Sequence, residues 1–284
     1  MVILVTGANG QLGQALQSIA PKHPEIRFQF CGSHEVDLTN KQSIQSAFAI
    51  YNPNFCINAA AYTAVDKAES EPEKAFAINA DGVRNLAEVC RESRCVLLHV
   101  STDFVFDGLK KSPYTETDVP NPTGVYGASK WAGEQAVQEI LTAYYIVRTA
   151  WVYSNFGANF MKTMLRLGAE RDQLKVVDDQ IGSPTLATDL ATTLVSMCQQ
   201  TAQDFTGAPY GIYHYSNEGS CSWCAFAQQI LLNHRLKTPV LPIPTTEFPT
   251  PAKRPAFSVL DKSKIKKAFD LKILSWQDAL RSAN

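Results

Sequence analysis

Tyr126 and Lys130 stand four residues apart in the stretch VYGASK (125–130), so on a helix they share one face. A tyrosine hydroxyl, with an ordinary pKa of about 10, is a poor acid–base group at neutral pH. An ammonium one turn away favours the phenolate and lowers that pKa, which makes the pair a candidate proton-delivery couple. The spacing alone also occurs on exposed helix faces, so it needs support from elsewhere in the chain. HVSTDFVFDG (99–108) gives the first support, placing Ser101, Thr102 and Asp103 straight after an apolar run. The carboxyl end of a strand is where open α/β sheets bind ligands, and a threonine hydroxyl there can bond a substrate carbonyl or the tyrosine oxygen.

A hydride source is the second support. VTGANGQLG sets Gly7, Gly10 and Gly13 directly after the first apolar run and into a helical pattern. Glycines let the backbone turn tightly and approach a pyrophosphate, and the helix N-terminus offers free N–H groups and a favourable dipole. The spacing is G-x-x-G-x-x-G, not the commoner G-x-G-x-x-G. An NAD-specific site usually carries an acidic residue about 20 positions on. Here the second apolar run ends in Cys31, Gly32, Ser33 and His34, without a carboxylate. Ser33, with His34, can hydrogen-bond a 2′-phosphate, so NADPH is favoured and NADH tolerated. Asp37 and Leu38 follow where an adenine edge would be read.

These residues need a frame. Short apolar runs at VILVTG, 26–31, 55–60, 95–100 and 144–149 read as buried strands, and helical patterns fill 11–20, 41–51, 73–92 and 126–141. The alternation implies an α/β fold with a Rossmann-type doubly wound parallel sheet. It loosens after about residue 150, so residues 1–150 are expected to form the NAD(P)-binding domain. Residues 151–284 are expected to form mainly a smaller substrate-binding lobe, with segments returning to the core. Residues 239–255 hold six of the fifteen prolines and read either as a surface connection of polyproline type or as a strap over a cleft. Lys253 and Arg254 at its end favour the strap.

Composition narrows the function further. A formal charge of −1 gives no basic surface for nucleic acid, and no apolar run approaches the length of about 20 residues of a membrane helix. The opening residues read as a strand and not as a signal peptide. Seven scattered cysteines suggest free thiols in a reducing cytoplasm. CSWC (221–224) lacks a second ligand pair for zinc and reads as a buried structural pair. His99, in an apolar strand, reads as a satisfied core histidine.

Motifs spread along the chain carry a resemblance: TGANGQLG (6–13), NAAAYTAVDKAE (58–69), STDFVFDG (101–108), PYTETD (113–118), NPTGVYGASKWAGE (121–134), RTAWVY (148–153), DDQIGSPT (178–185) and KRPAFSVLD (253–261). Together they resemble the extended short-chain dehydrogenase/reductases, and within them the dTDP-4-dehydrorhamnose reductases. The resemblance implies Tyr126 as proton donor, Lys130 as its electrostatic and ribose-binding partner, and Thr102 as the third catalytic hydroxyl. It implies cofactor contacts from Gly7, Gly10, Gln11, Leu12, Asp37, Leu38, Ala61, Tyr62 and Thr63, with Asp103 and Trp151 against the sugar and Asn79 behind the proton relay. The substrate would be a 4-keto-6-deoxyhexose on deoxythymidine diphosphate. From charge, Lys253 and Arg254 would help neutralise the diphosphate.

Three departures and alternatives matter. Sugar-nucleotide 4,6-dehydratases carry Asp-Glu after the threonine, whereas here the pair is Asp103-Phe104, which leaves elimination without its base. Some relatives form a magnesium-linked homodimer through glutamates, and Ala15 stands where one of these aligns; no metal is expected, and a homodimer stays open. Phe104 also replaces a tyrosine common in relatives. A reductase for another 4-keto sugar is the nearest alternative. A non-catalytic regulatory subunit, like that of methionine adenosyltransferase, is the alternative of a different class. The presence of Thr102, Tyr126 and Lys130 and the lack of an N-terminal extension favour an enzyme.

Overall fold

A computed structural model describes residues 1–283. Six strands form one sheet: β1 (Val2–Thr6), β2 (Arg27–Cys31), β3 (Phe55–Asn58), β4 (Val96–Thr102), β5 (Tyr144–Thr149) and β6 (Gly211–His214). Their order is β6-β5-β4-β3-β1-β2, and every neighbouring pair is parallel. β1, β3, β4 and β5 are mostly apolar and almost wholly buried, as a sheet covered on both faces requires.

On one face lie α1 (Gln11–Ile19) and α5 (Ala187–Gln203), where Leu12, Leu16 and Ile19 share a core with Leu190, Leu194 and Met197. On the other lie α2 (Lys41–Tyr51), α3 (Gly82–Glu92) and α4 (Val125–Ile140), represented in a second core by Ile44, Phe48, Leu86, Val89 and Val137. The chain leaves β1 towards β2 on one side, and β3 flanks β1 on the other. The carboxyl ends of β1 and β3 therefore bound the switch point where such sheets hold ligands.

The helical pattern over 73–92 holds as one unbroken helical run, Pro72 to Glu92, but with a change of winding inside it. Pro72–Phe76 is followed by a π turn, Ala77–Asp81, before α3 starts. The cause is close packing: a Cβ on Gly133 would lie 2.1 Å from the Asn79 carbonyl oxygen, so α4 presses directly on this backbone. β6, short and ending in histidine, gives no strand signal in sequence.

Residues beyond 150 form short paired strands around a third core: Val152–Tyr153 with Thr185–Leu186, Ile181–Gly182 with Cys221–Ser222, and Leu174–Val177 with Val240–Ile243. The proline-rich segment thus begins as a strand, with Pro242 inside it. It then crosses back, and Phe257 N–H reaches the Gly108 carbonyl. Among the described residues no helix is long and apolar enough to cross a membrane.

Candidate active site

One cleft of about 810 Å³ opens over the carboxyl ends of the strands, with a backbone-built end and a side-chain-built end. At the first, Gly10 caps α1 with no side chain bonding its first N–H groups. Gly7 has φ +68°, and a Cβ there would lie 2.6 Å from the Ala60 nitrogen; at Gly13 it would lie 2.3 Å from the Gly7 carbonyl oxygen. The turn, the exit of β3 and α1 are in contact through bare backbone. That concave surface beside a free helix N-terminus fits a dinucleotide pyrophosphate. Ser33, Asp37 and Leu38 line the same cleft. Glu35, the nearest carboxylate after β2, turns back onto the Gly32 N–H at 2.8 Å.

At the second end, Thr102 closes β4 and caps a 3-10 turn, Asp103–Val105. Its hydroxyl donates to Asp103 Oδ1 at 3.0 Å and accepts the Phe104 N–H at 3.2 Å. Gly124 caps α4, and the Glu69 carboxylate accepts the Val125 N–H at 2.8 Å. The glycine of VYGASK has a steric reason: a Cβ on Gly127 would lie 2.2 Å from the Phe104 carbonyl oxygen. Only a glycine lets the first turn of α4 lie against the 3-10 turn, which puts Tyr126 beside Thr102. The Tyr126 ring meets Phe104 edge to face at 5.5 Å.

The electrostatics differ from the sequence expectation. Burial pushes the Tyr126 hydroxyl up to about 12, opposed by the Thr102 hydroxyl and reinforced by the Asp103 charge. Lys130 contributes none of the expected lowering; its amine donates to the Val100 carbonyl at 2.8 Å. Burial brings Lys130 itself down to about 8, opposed by Glu134. Burial also raises Asp103 to about 6, against hydrogen bonds from Ser258 and Thr102.

Gly7, Gly10, Gln11, Leu12, Ala61, Thr63, Thr102, Asp103, Tyr126, Lys130 and Trp151 all line the cleft. Trp151 holds a left-handed backbone, φ +48°, and its indole stacks on Trp223 with centroids 3.5 Å apart. A Cβ on Gly182 would lie 2.4 Å from that indole, so a bare backbone seats it. Tyr62 and Arg254 are not among the lining residues. The Tyr62 hydroxyl donates to Glu71 at 2.7 Å, and Arg254 is ion-paired with Asp66 at 2.8 Å; Lys253 is exposed. Asn79 sits behind the cleft, accepting the Tyr62 N–H at 2.9 Å and donating to Ser129 Oγ at 3.1 Å. Ala15 is wholly buried in the first core and faces inward. Among the described residues no group of three or more His, Cys, Asp or Glu could hold a metal ion.

Sequence reasoning missed the polar groups under the cleft. Glu134 and Arg148, both buried, form a bidentate pair, with Nη2 to Oε2 at 2.6 Å. The signal was present as an arginine inside the apolar run YYIVRT. Missed too was the second half's contribution to the nucleotide end, where Ser154 Oγ donates to Gln11 Oε1 at 3.0 Å and Gly157 joins the lining.

A doubly wound parallel sheet whose first turn is shaped to take an anion, with Thr, Tyr and Lys over the same cleft, defines a Rossmann-type dinucleotide-binding protein. A family model described as RmlD substrate binding domain matches residues 1–283. The chain is 42% identical over 289 residues to a dTDP-4-dehydrorhamnose reductase of Aggregatibacter actinomycetemcomitans, covering 99% of this chain and 97% of that one. Among solved structures it matches the dTDP-4-dehydrorhamnose reductase of Bacillus anthracis in complex with NADP, at TM-score 0.92 and 41% identity, over 99% and 98% of the two chains. A Clostridium acetobutylicum dTDP-4-dehydrorhamnose reductase superposes with TM-score 0.93 at 40% identity, over 100% and 98%. The chain belongs to the RmlD substrate binding domain family.

Proposed function

We propose that the protein is an NADPH-dependent reductase that converts the C4 ketone of dTDP-4-dehydro-6-deoxy-L-mannose to the alcohol of dTDP-L-rhamnose, in nucleotide-sugar biosynthesis. The observation that carries this is the single cleft that brings Tyr126, Lys130 and Thr102 to the glycine turn, in a chain of this family. NADPH, when bound, supplies the hydride to C4. Tyr126 protonates the oxygen that becomes negative as hydride arrives, and Thr102 donates a hydrogen bond to the same oxygen. Lys130 favours the phenolate that Tyr126 leaves behind and holds the nicotinamide ribose. Gly7, Gly10, Gln11 and Leu12 carry the pyrophosphate, Ser33 the 2′-phosphate, Asp37 and Leu38 the adenosine, and Ala61 and Thr63 the nicotinamide side.

Asp103 and Trp151 take the sugar, and Arg254, which pairs with Asp66 outside the cleft lining, reaches the diphosphate only by sharing or leaving that pair. In this division residues 1–150 hold most of the dinucleotide, with Ser154 and Gly157 beside them, and residues 151–284 supply most of the sugar contacts. A cytoplasmic location is part of the proposal, supported by seven cysteines that are all free thiols. Any homodimer would form without a metal bridge through position 15, whose side chain is buried.

The test is turnover. Purified protein with NADPH and a panel of nucleotide 4-keto-6-deoxysugars should oxidise the cofactor with the dTDP-linked 4-dehydrorhamnose substrate, and NMR of the product should show the rhamno configuration. Oxidation with none of the sugars, despite NADPH binding, would refute the assignment.

A further inference from the structure

A row of polar side chains crosses the sheet beneath the cleft. Thr6, Asn58 and His99 are register partners on β1, β3 and β4, and Lys130 meets the row from α4. All four are buried. Thr6 Oγ1 donates to Asn58 Oδ1 at 2.7 Å, and the Ala60 backbone N–H donates to the same oxygen at 3.2 Å. A backbone N–H can only donate, so the amide orientation is fixed: Oδ1 faces Ala60, and Nδ2 faces His99 Nδ1 at 3.0 Å. An amide nitrogen also only donates. His99 Nδ1 therefore presents a lone pair, and the neutral ring carries its proton on Nε2. That Nε2 faces Lys130 Nζ at 3.5 Å. Burial and the neighbouring Lys130 both hold His99 well below the ordinary histidine range, so the ring is neutral.

His214 is the internal contrast. Its Nδ1 faces the Tyr114 carbonyl oxygen at 3.1 Å, which can only accept, so the proton sits on Nδ1. Its Nε2 lone pair then faces Arg148 Nη1 at 3.5 Å. There a donor meets an acceptor; at His99 a donor meets an ammonium.

We propose that His99 is a positioning residue for the reduction: its Nε2–H, forced towards Lys130, denies the ammonium a second buried acceptor beside the Val100 carbonyl and leaves its remaining protons to the cleft where Tyr126 stands. This rests on the role given to Lys130 above, as partner of the Tyr126 phenolate, and adds that the ammonium returns a proton to that phenolate once it has formed. The other groups facing Lys130 are the Val100 carbonyl, which accepts from it, Glu134 one turn on and Tyr126 one turn back. The amine can accept from Nε2–H only when neutral. The row therefore favours the deprotonated lysine that follows delivery of a proton to the Tyr126 phenolate.

Two measurements on the full chain with NADPH bound test this. Histidine ring ¹⁵N NMR, with His99→Phe to assign the signal, should show His99 as the Nε2–H tautomer and His214 as Nδ1–H, with His99 not titrating from about pH 6 to 9. An Nδ1–H tautomer at His99 overturns the proposal. The second is Asn58→Asp, whose carboxylate accepts from His99 Nδ1–H, moves the proton there and turns the Nε2 lone pair to Lys130. The basic limb of kcat/KM should then move up by about one pH unit, whereas a merely structural defect lowers the rate at every pH. A folded Asn58→Asp enzyme with an unmoved limb overturns the proposal; if that variant does not fold, the tautomer in the wild-type protein decides. Lys130→Met separates the two claims. A full rate in that variant removes the role of Lys130, whereas a lost rate together with an Nδ1–H His99 removes only the inference.

Discussion

The two halves of α4 bury charge in opposite ways. Four residues past Lys130, Glu134 takes three hydrogen bonds from the Arg148 guanidinium and one from the Ser101 hydroxyl. The guanidinium also lies over the Phe106 ring at 5.1 Å. Lys130 has one backbone carbonyl, an opposed imidazole N–H and an open cleft. Both regions hang from adjacent rungs of the sheet: Ser101 pairs in register with Arg148, and Thr102 with Thr149. One residue along β4 separates a fold-fixing ion pair from the reacting end. A buried charge with matched partners holds its state and supports the structure; a poorly matched one has a shifted pKa and is available for chemistry.

The largest effect expected at the reacting end is catalytic. Tyr126→Phe removes the proton donor and keeps the ring that packs on Phe104, so the rate should fall by roughly 10²–10⁴-fold while NADPH binding, followed by fluorescence titration, stays unchanged. A rate within a few-fold of wild type would place the donor elsewhere. At the locked end the effect should be on stability. Glu134→Ala strands a buried guanidinium, and loss of one partner of such a pair costs roughly 3–5 kcal/mol, read as a lower denaturant midpoint. If Glu134→Ala unfolds like wild type, the contrast between the two halves of the helix is wrong.

Lys130→Met should separate the regions by pH. The folded-state pKa of Lys130, about 8, lies below its ordinary value of 10.5. Its neutral form therefore supports the fold above pH 10.5, and that support is lost as pH falls through about 8. The methionine variant should gain stability relative to wild type on going from about pH 10 to 7, while losing activity throughout. Thermal unfolding across that range checks the sign, and a relative loss towards neutral pH would contradict it.

The contrast also marks what could be read from sequence. The nucleotide end is made of backbone, and backbone needs only glycines at set intervals after a strand, so Gly7, Gly10 and Gly13 disclosed it. Tyr126, Lys130 and Thr102 could be read as a set because strand end and helix start bring them together. The pKa of Tyr126 could not, because it depends on burial and on where the Lys130 amine points. Nor could the row from Thr6 to His99, since register across three strands is a tertiary property, and His99 looked like any core histidine. The π turn at Asn79 was hidden for a similar reason: it follows from the approach of Gly133, far along the chain. Arg148 in a buried strand did announce that a partner must exist, though not which one.

The smallest effect concerns Arg254, where the sequence argument from charge meets a competitor. Its guanidinium grips both Asp66 oxygens, at 2.9 and 2.8 Å, and also reaches Thr250 Oγ1 and the Ala252 carbonyl. Asp66 starts from the short helix Val65–Ala68, and Val65 lines the cleft. The pair therefore ties the returning proline-rich strap to the rim. With side chains 26% and 40% exposed it is well solvated, so Arg254→Ala should cost about 1 kcal/mol of stability or less. The informative quantity is KM for the nucleotide sugar. If the arginine also meets the diphosphate, Arg254→Ala raises KM by roughly tenfold at unchanged kcat, the loss of one solvated charge contact. Asp66→Asn, which frees the guanidinium from its carboxylate, should then lower KM. Opposite shifts in the two variants mark an arginine shared between rim and substrate. A KM that moves the same way in both marks a strap whose only task is to shape the cleft.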